Sequence, residues 1–243
     1  MKLINDLLST LNLHANVKEL QQGPYQTAVL TRNCGLAATP HDNGSHHSNA
    51  TEYDTKHLTN IEVSGLAQMA RSSNSFEAAI GMATINSLLD IDEQLCVNVN
   101  GKDILMEKGK NKSVALIGHF PFATELHQAA KRLWVIERHP QEGDVAESEI
   151  ANLVPQAEVI GITGSSLINH TIDHLLALCD KEAYVVVLGA TTPLSPILFD
   201  YGVDAISGTR VTDPEMVLRC VSQGTPFRQL KGIQLLTMER ERR

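Results

Sequence analysis

Basic charge, paired cysteines and long apolar runs are all scarce in this chain of 243 residues, and each scarcity excludes a class of function. Lysine and arginine total 20 against 28 aspartates and glutamates, a formal net charge of -8, so no basic face is expected for a nucleic-acid backbone. No apolar run approaches the roughly 18 residues of a membrane span. The opening MKLINDLLSTLNL is too short and too acidic for a secretory leader and reads as an amphipathic helix, so a cytoplasmic protein is expected. The four cysteines, Cys34, Cys96, Cys179 and Cys220, form no CxxC pair. Neither a zinc ribbon nor a disulfide framework fits them, and they read as buried free thiols. There is no G-x-S-x-G elbow, no G-x-x-x-x-G-K-S/T loop and no H-E-x-x-H helix. Serine hydrolase, P-loop nucleotidase and the common metalloprotease are thereby unsupported.

What is present divides at the charged stretch EKGKNK, residues 107–112, which reads as a linker or domain-edge turn. The expected domains are 1–108 and 112–243. After the divide, short Val/Ile/Leu-rich runs at 113–118, 132–137, 158–163, 183–189 and 205–208 read as strands covered on both faces. Helical stretches at 123–131 and 169–179 lie between them, an alternation that predicts an open, mostly parallel α/β sheet. The first part is of a different kind. A hairpin is predicted about Gly23-Pro24, a buried helix after Asn74 with Glu77 completing a capping box, and a second hairpin about Asn100-Gly101. Gly81 and its neighbouring alanines would admit another element close to that helix. A small α+β domain followed by an α/β domain is the expected architecture.

Ligands of open α/β sheets lie at the carboxyl ends of the strands, and four such segments carry unusual chemistry. In Gly118-His119-Phe120-Pro121-Phe122 the turn lacks the further glycines that admit a pyrophosphate, and His119 and Phe120 occupy that space. Glu137 follows Gly118 by 19 residues, where an acid commonly accepts ribose hydroxyls, and Arg138 could clamp an anion; a solvated Glu-Arg pair is the plainer reading. Thr163, Gly164, Ser165 and Ser166 form a hydroxyl-rich loop feeding a helix, with Asn169 at its first turn; the serines either meet a ligand or cap the helix. His170 and His174, four apart, would share a helix face. Thr191 and Thr192 precede Pro193 in a rigid turn, where their hydroxyls bind ligand or satisfy local backbone. The polar segment 41–57, with His41, His46, His47 and His57, has the side chains of a zinc, nickel or iron site and equally the composition of a flexible loop.

Together these segments resemble the family described as putative heavy-metal chelation, long a domain of unknown function. The shared features are the Gly-His-Phe-Pro-Phe turn, Glu137-Arg138, the Thr163–Thr171 stretch and the turn over 189–193; Ala190 departs from the family's usual proline. The segment SSNSFEAAIGMATINSLL is similar to that family's helix leading into an Ile-Asn pair. The resemblance implies an enolase amino-terminal-like domain, a Rossmann-like domain and a ligand site between them. The expected function is binding of a small molecule or metal chelate in that cleft by Gly118, His119, Phe120, Pro121, Glu137, Arg138, Thr163, Gly164, Ser165, Asn169, Thr191 and Thr192. His119 and Glu137 are the candidate ligands of a divalent transition metal, and a homo-oligomer is open. Two alternatives stand beside it: a transferase or lyase using an adenosyl cofactor, and an assembly protein with a vestigial site.

Overall fold

Leu3, Ile4, Leu7 and Leu8 fall on one stripe of the first helix, α1 (Lys2–Thr10), and are buried, while Asn5 and Ser9 face solvent. Its first turn has free N–H groups that no preceding residue can satisfy. The Asp173 carboxylate supplies the acceptor, taking the Lys2 and Leu3 N–H groups at 2.7 and 3.0 Å and the Met1 ammonium at 2.8 Å. This computed structural model describes residues 1–40 and 61–241. The histidine-containing segment 41–57 therefore lies outside the described residues.

The hairpin expected at Gly23-Pro24 is present: β1 (Glu19–Gln22) pairs antiparallel with β2 (Gln26–Leu30), which pairs with β3 (Cys34–Ala38). After α2 (Val63–Gln68), the buried helix α3 (Ser75–Leu88) starts where expected, with Asn74 Oδ1 accepting the Phe76 and Glu77 N–H groups at 2.9 and 3.4 Å. Residues from Ala78 to Leu88, Asn86 excepted, are buried around α3, because it is wedged between β3 and the segment Met69–Arg71. Gly81 is the contact point. A Cβ there would lie 1.9 Å from the Ala70 nitrogen, so only glycine admits that backbone.

The larger sheet has the order β4-β11-β10-β9-β8-β5-β6-β7 among the described residues. Its strands are β4 (Cys96–Val97), β5 (Ser113–Ile117), β6 (Arg132–Glu137), β7 (Val145–Ala146), β8 (Val159–Thr163), β9 (Tyr184–Leu188), β10 (Ala205–Val211) and β11 (Ile233–Glu239). All neighbours from β7 through β10 run parallel, while β11 is antiparallel to both β10 and β4. The α/β class expected from the sequence is thus observed. Alternate residues of each central strand enter different cores. Val114 and Leu116 of β5 pack with Ile104 and Leu105 of α4 (Gly101–Lys108) and Leu126 of α5 (Ala123–Ala129). Ala115 and Ile117 join Ile172 and Leu175 of α7 (Ile172–Leu178), which follows the short α6 (Ile150–Leu153). Each such aliphatic side chain removed from water stabilises the sheet by about 1.5–3 kcal/mol, which is why these strands read as unbroken apolar runs.

One expectation fails outright. Asn100-Gly101 is no hairpin turn: Asn100 has φ -94° and caps α4, its Oδ1 accepting the Asp103 N–H at 3.1 Å. A two-residue hairpin turn of that kind needs positive φ at both positions, whereas the sequence after Gly101 continues with helical spacing. The chain enters the larger sheet already at Cys96. The last helix, α8 (Pro214–Ser222), is capped by Asp213 and packs Val217 and Val221 against Ala28 and Leu36 of the small sheet.

Candidate functional site

The order of the large sheet reverses between β5 and β8: the chain leaves β5 outward through β6 and β7, then returns to lay β8 on the other side of β5. Loops leaving neighbouring strands at such a point turn away from one another and leave a crevice at the carboxyl ends. A cavity of about 320 Å³ occupies it. Its wall takes Ile117, Gly118, His119 and Phe120 from the end of β5, Ile136, Glu137 and Arg138 from β6, and Thr163, Ser165, Ser166, Asn169 and Thr171 from the segment after β8. Glu147, Ile150 and Leu175 complete it.

Gly118 makes the first loop possible. Its φ is +106°, a conformation that side chains disfavour, and a Cβ would crowd Thr163 at 3.1 Å and the Phe120 ring at 3.3 Å. Phe120 stacks on Phe122 with ring centres 5.3 Å apart, giving the turn an apolar wall. Glu137 fixes the other side. One carboxylate oxygen accepts the His119 N–H at 2.5 Å and the other accepts the Arg138 N–H at 3.1 Å. The acid at the end of β6 therefore ties the β5 and β6 loops together. The His119 ring lies 3.1 Å, through Nδ1, from a carboxylate oxygen of Asp144, which also accepts the Gln141 N–H at 3.0 Å. Arg138 is paired through Nε with Glu147 at 3.2 Å. Asn169 Oδ1 accepts both the N–H and the hydroxyl of Thr171, at 3.2 and 2.7 Å, which leaves its amide nitrogen as a donor.

Eight of the residues expected from the sequence meet on this wall: Gly118, His119, Phe120, Glu137, Arg138, Thr163, Ser165 and Asn169. Pro121, Gly164, Thr191 and Thr192 do not border it. Thr191 and Thr192 are 1% and 2% exposed. Thr191 Oγ1 accepts the Ala38 N–H at 2.9 Å and the Thr191 carbonyl accepts from the Asn86 amide at 3.1 Å, so this turn fastens the small sheet to the large one. Gly164 packs against Thr192. The helix predicted from residue 169 starts later, and what precedes it is a short 3-10 turn, Gly164–Leu167, capped by Thr163 rather than by a serine. His170 stands outside α7 with φ +60° and bonds the Ala70 carbonyl at 2.9 Å, so it shares no helix face with His174. Thr171, in the stretch Thr163–Thr171 singled out from the sequence, also borders the cavity, whereas Asp144 and Glu147 escaped sequence reasoning, because such residues gain a site only when the fold brings them together.

Two sequence profiles described as "Putative heavy-metal chelation" match this chain, one over residues 4–89 and the other over residues 100–238. The chain belongs to that family. An uncharacterized protein of Methanocaldococcus jannaschii is similar to it, 25% identical over 224 residues that span 86% of this chain and 83% of the relative. Crystal structures of two family proteins of unknown function share its fold. The one from Desulfitobacterium hafniense has a TM-score of 0.82 at 23% identity, covering 98% of this chain and 97% of its own. The one from Pyrococcus horikoshii has a TM-score of 0.80 at 20% identity, covering 98% of each. The chelation family's description raises the question of a metal, and the donor set can be tested against it. Among the described residues no three His, Cys, Asp or Glu side chains are grouped to hold a metal ion. They do not form a closed site for a bare cation, which takes about four ligands for zinc and more for harder ions.

Proposed function

We propose that this chelation-family protein binds a small metal chelate in the cavity at the β5–β8 switch point, with the chelator supplying most of the metal's ligands. The composition of one wall carries this reading: an imidazole, a guanidinium and an amide donor converge over an apolar floor of Ile117, Ile136, Ile150 and Leu175. Such a surface recognises a compact complex by shape and hydrogen bonds, with the charge of Arg138 offset by its partner Glu147. A volume of about 320 Å³ is at the small end of ligand cavities, which run from roughly 300 to 1,000 Å³. The cavity of this reading lies within the second half of the chain, since all its described lining residues fall between Ile117 and Leu175.

Thermal unfolding tests the reading. Metal-stripped protein is scanned with Ni, Co, Zn and Fe(II), each as the free ion and as its citrate complex, and with S-adenosylmethionine and NAD. A ligand at a hundredfold excess over its Kd adds about 2.7 kcal/mol to the folded state, a rise of roughly 5–10 °C for a chain of this size. The rise is expected with a citrate complex and is expected to vanish in Glu137→Ala. A rise with S-adenosylmethionine alone would replace the chelate by an adenosyl cofactor, and no rise with any complex would remove the chelate reading.

A further inference from the structure

The contact between His119 and Asp144 has the arrangement by which proteins aim an imidazole. The His119 side chain is 38% exposed and borders the cavity, whereas that of Asp144 is 4% exposed. A buried carboxylate accepting from Nδ1–H holds the ring in one tautomer and leaves Nε2 with its lone pair. Among the described residues Nε2 has no hydrogen-bond partner. The carboxylate is itself held in place, because the oxygen facing His119 also accepts the Gln141 N–H. The His119 backbone is anchored separately, through its N–H on Glu137. Ring and main chain are thus fixed by two different acids, and Nε2 is the ring nitrogen left with an unused lone pair.

We propose that His119 Nε2 coordinates the metal of the bound chelate, replacing one of its waters, and that Asp144 is the positioning residue that makes Nε2 the acceptor. This rests on the chelate reading above and narrows the ligand. The complex must keep an exchangeable coordination position, and its metal must favour imidazole, as nickel, cobalt, copper and zinc do. On the same geometry Glu137 orders the turn and is no metal ligand. A chelator that occupies every position of the ion leaves nothing for Nε2 to join.

Two nickel complexes separate these ideas by calorimetric titration of the metal-stripped protein: Ni(II)–nitrilotriacetate, which leaves water on the metal, and Ni(II)–EDTA, which leaves none. The wild type is expected to take the first and not the second, His119→Ala to lose it, and Asp144→Ala to weaken it about 10–100-fold, as loss of an outer partner of a ligating histidine does. Nitrogen-15 NMR of the metal-free protein reads the tautomer directly. The His119 ring should show a protonated Nδ1 and a bare Nε2, and Asp144→Ala should abolish that preference while the rest of the spectrum stays folded. Equal binding of both complexes, or full affinity in His119→Ala, would overturn the His119 assignment and leave the chelate reading standing. Binding of neither complex by the wild type would overturn both. An Nε2–H tautomer in the wild type would overturn the role of Asp144.

Discussion

Replacing Glu137 by glutamine removes a charge with almost no change of shape, and the structure states what that must do. Each carboxylate oxygen accepts one main-chain N–H, from His119 at 2.5 Å and from Arg138 at 3.1 Å. Glutamine offers one oxygen and one amino group. Whichever way it turns, one N–H meets a donor and the other exchanges a charged acceptor for a neutral one. A hydrogen bond to a charged group contributes about 1.5–3 kcal/mol, and because Glu137 is only half-buried and both N–H groups can turn to water, the lower end applies. About 1.4 kcal/mol is a factor of ten. Amide hydrogen exchange of His119 should therefore accelerate about tenfold in Glu137→Gln, and the Gly118 turn should open more often, while amides of the central strands such as Leu116 keep their wild-type rates. Unchanged exchange at both His119 and Arg138 would show that Glu137 does not hold the turn. The ordering role given to it would then fall, and a direct contact with ligand would have to replace it.

Two further outcomes concern stability. Burial alone would raise the Asp173 carboxyl, but the Met1 ammonium and the Leu3 and Lys2 N–H groups outweigh it and hold the group below the usual carboxylate range. A depressed folded value stabilises above the unfolded value of about 3.9 and is lost as pH falls through the folded one, so Asp173→Asn should cost about 1 kcal/mol in urea unfolding at pH 7 after screening and nothing in strong acid; an equal deficit at both would disprove the linkage. Gly81→Val places a side chain on the Ala70 backbone, 1.9 Å from its nitrogen at Cβ alone, and should lower stability by about 3 kcal/mol or more, since neither main chain can yield cheaply; a urea midpoint equal to wild type would refute the close crossing.

The sequence was most legible where one local rule acted alone. The run at residues 132–137 is β6 to the residue, because a strand covered on both faces needs no partner to be recognised. Gly118 and Glu137 were also readable, since the βα alternation marks the carboxyl ends of strands, while the reversal of strand order beside them came only from the fold. Asn100-Gly101 misled because the same dipeptide serves two motifs, and only the residues after it, with helical period, decide for a cap. Thr191 and Thr192 misled for another reason: a hydroxyl after a strand is equally suited to a ligand or to a neighbouring sheet, and the packing of β3 decides for Thr191. Strand β11 went unread because its apolar and polar residues alternate weakly, and the burial of Leu236 and Met238 comes from partners far away in the chain.

Those distant partners also set an order of events during synthesis. Among the described residues strand β4 pairs only with β11, and the Thr237 hydroxyl closes on the Val99 carbonyl across a separation of 138 residues. The parallel strands from β5 to β9 can pair in sequence as they emerge, but β4 has no partner until the ribosome has passed residue 239. Until then the edge later covered by β11 stays open, and that open edge is the stage at which a nascent chain is most exposed to pairing with a neighbour. The final strand thus acts as the closing latch of biosynthesis.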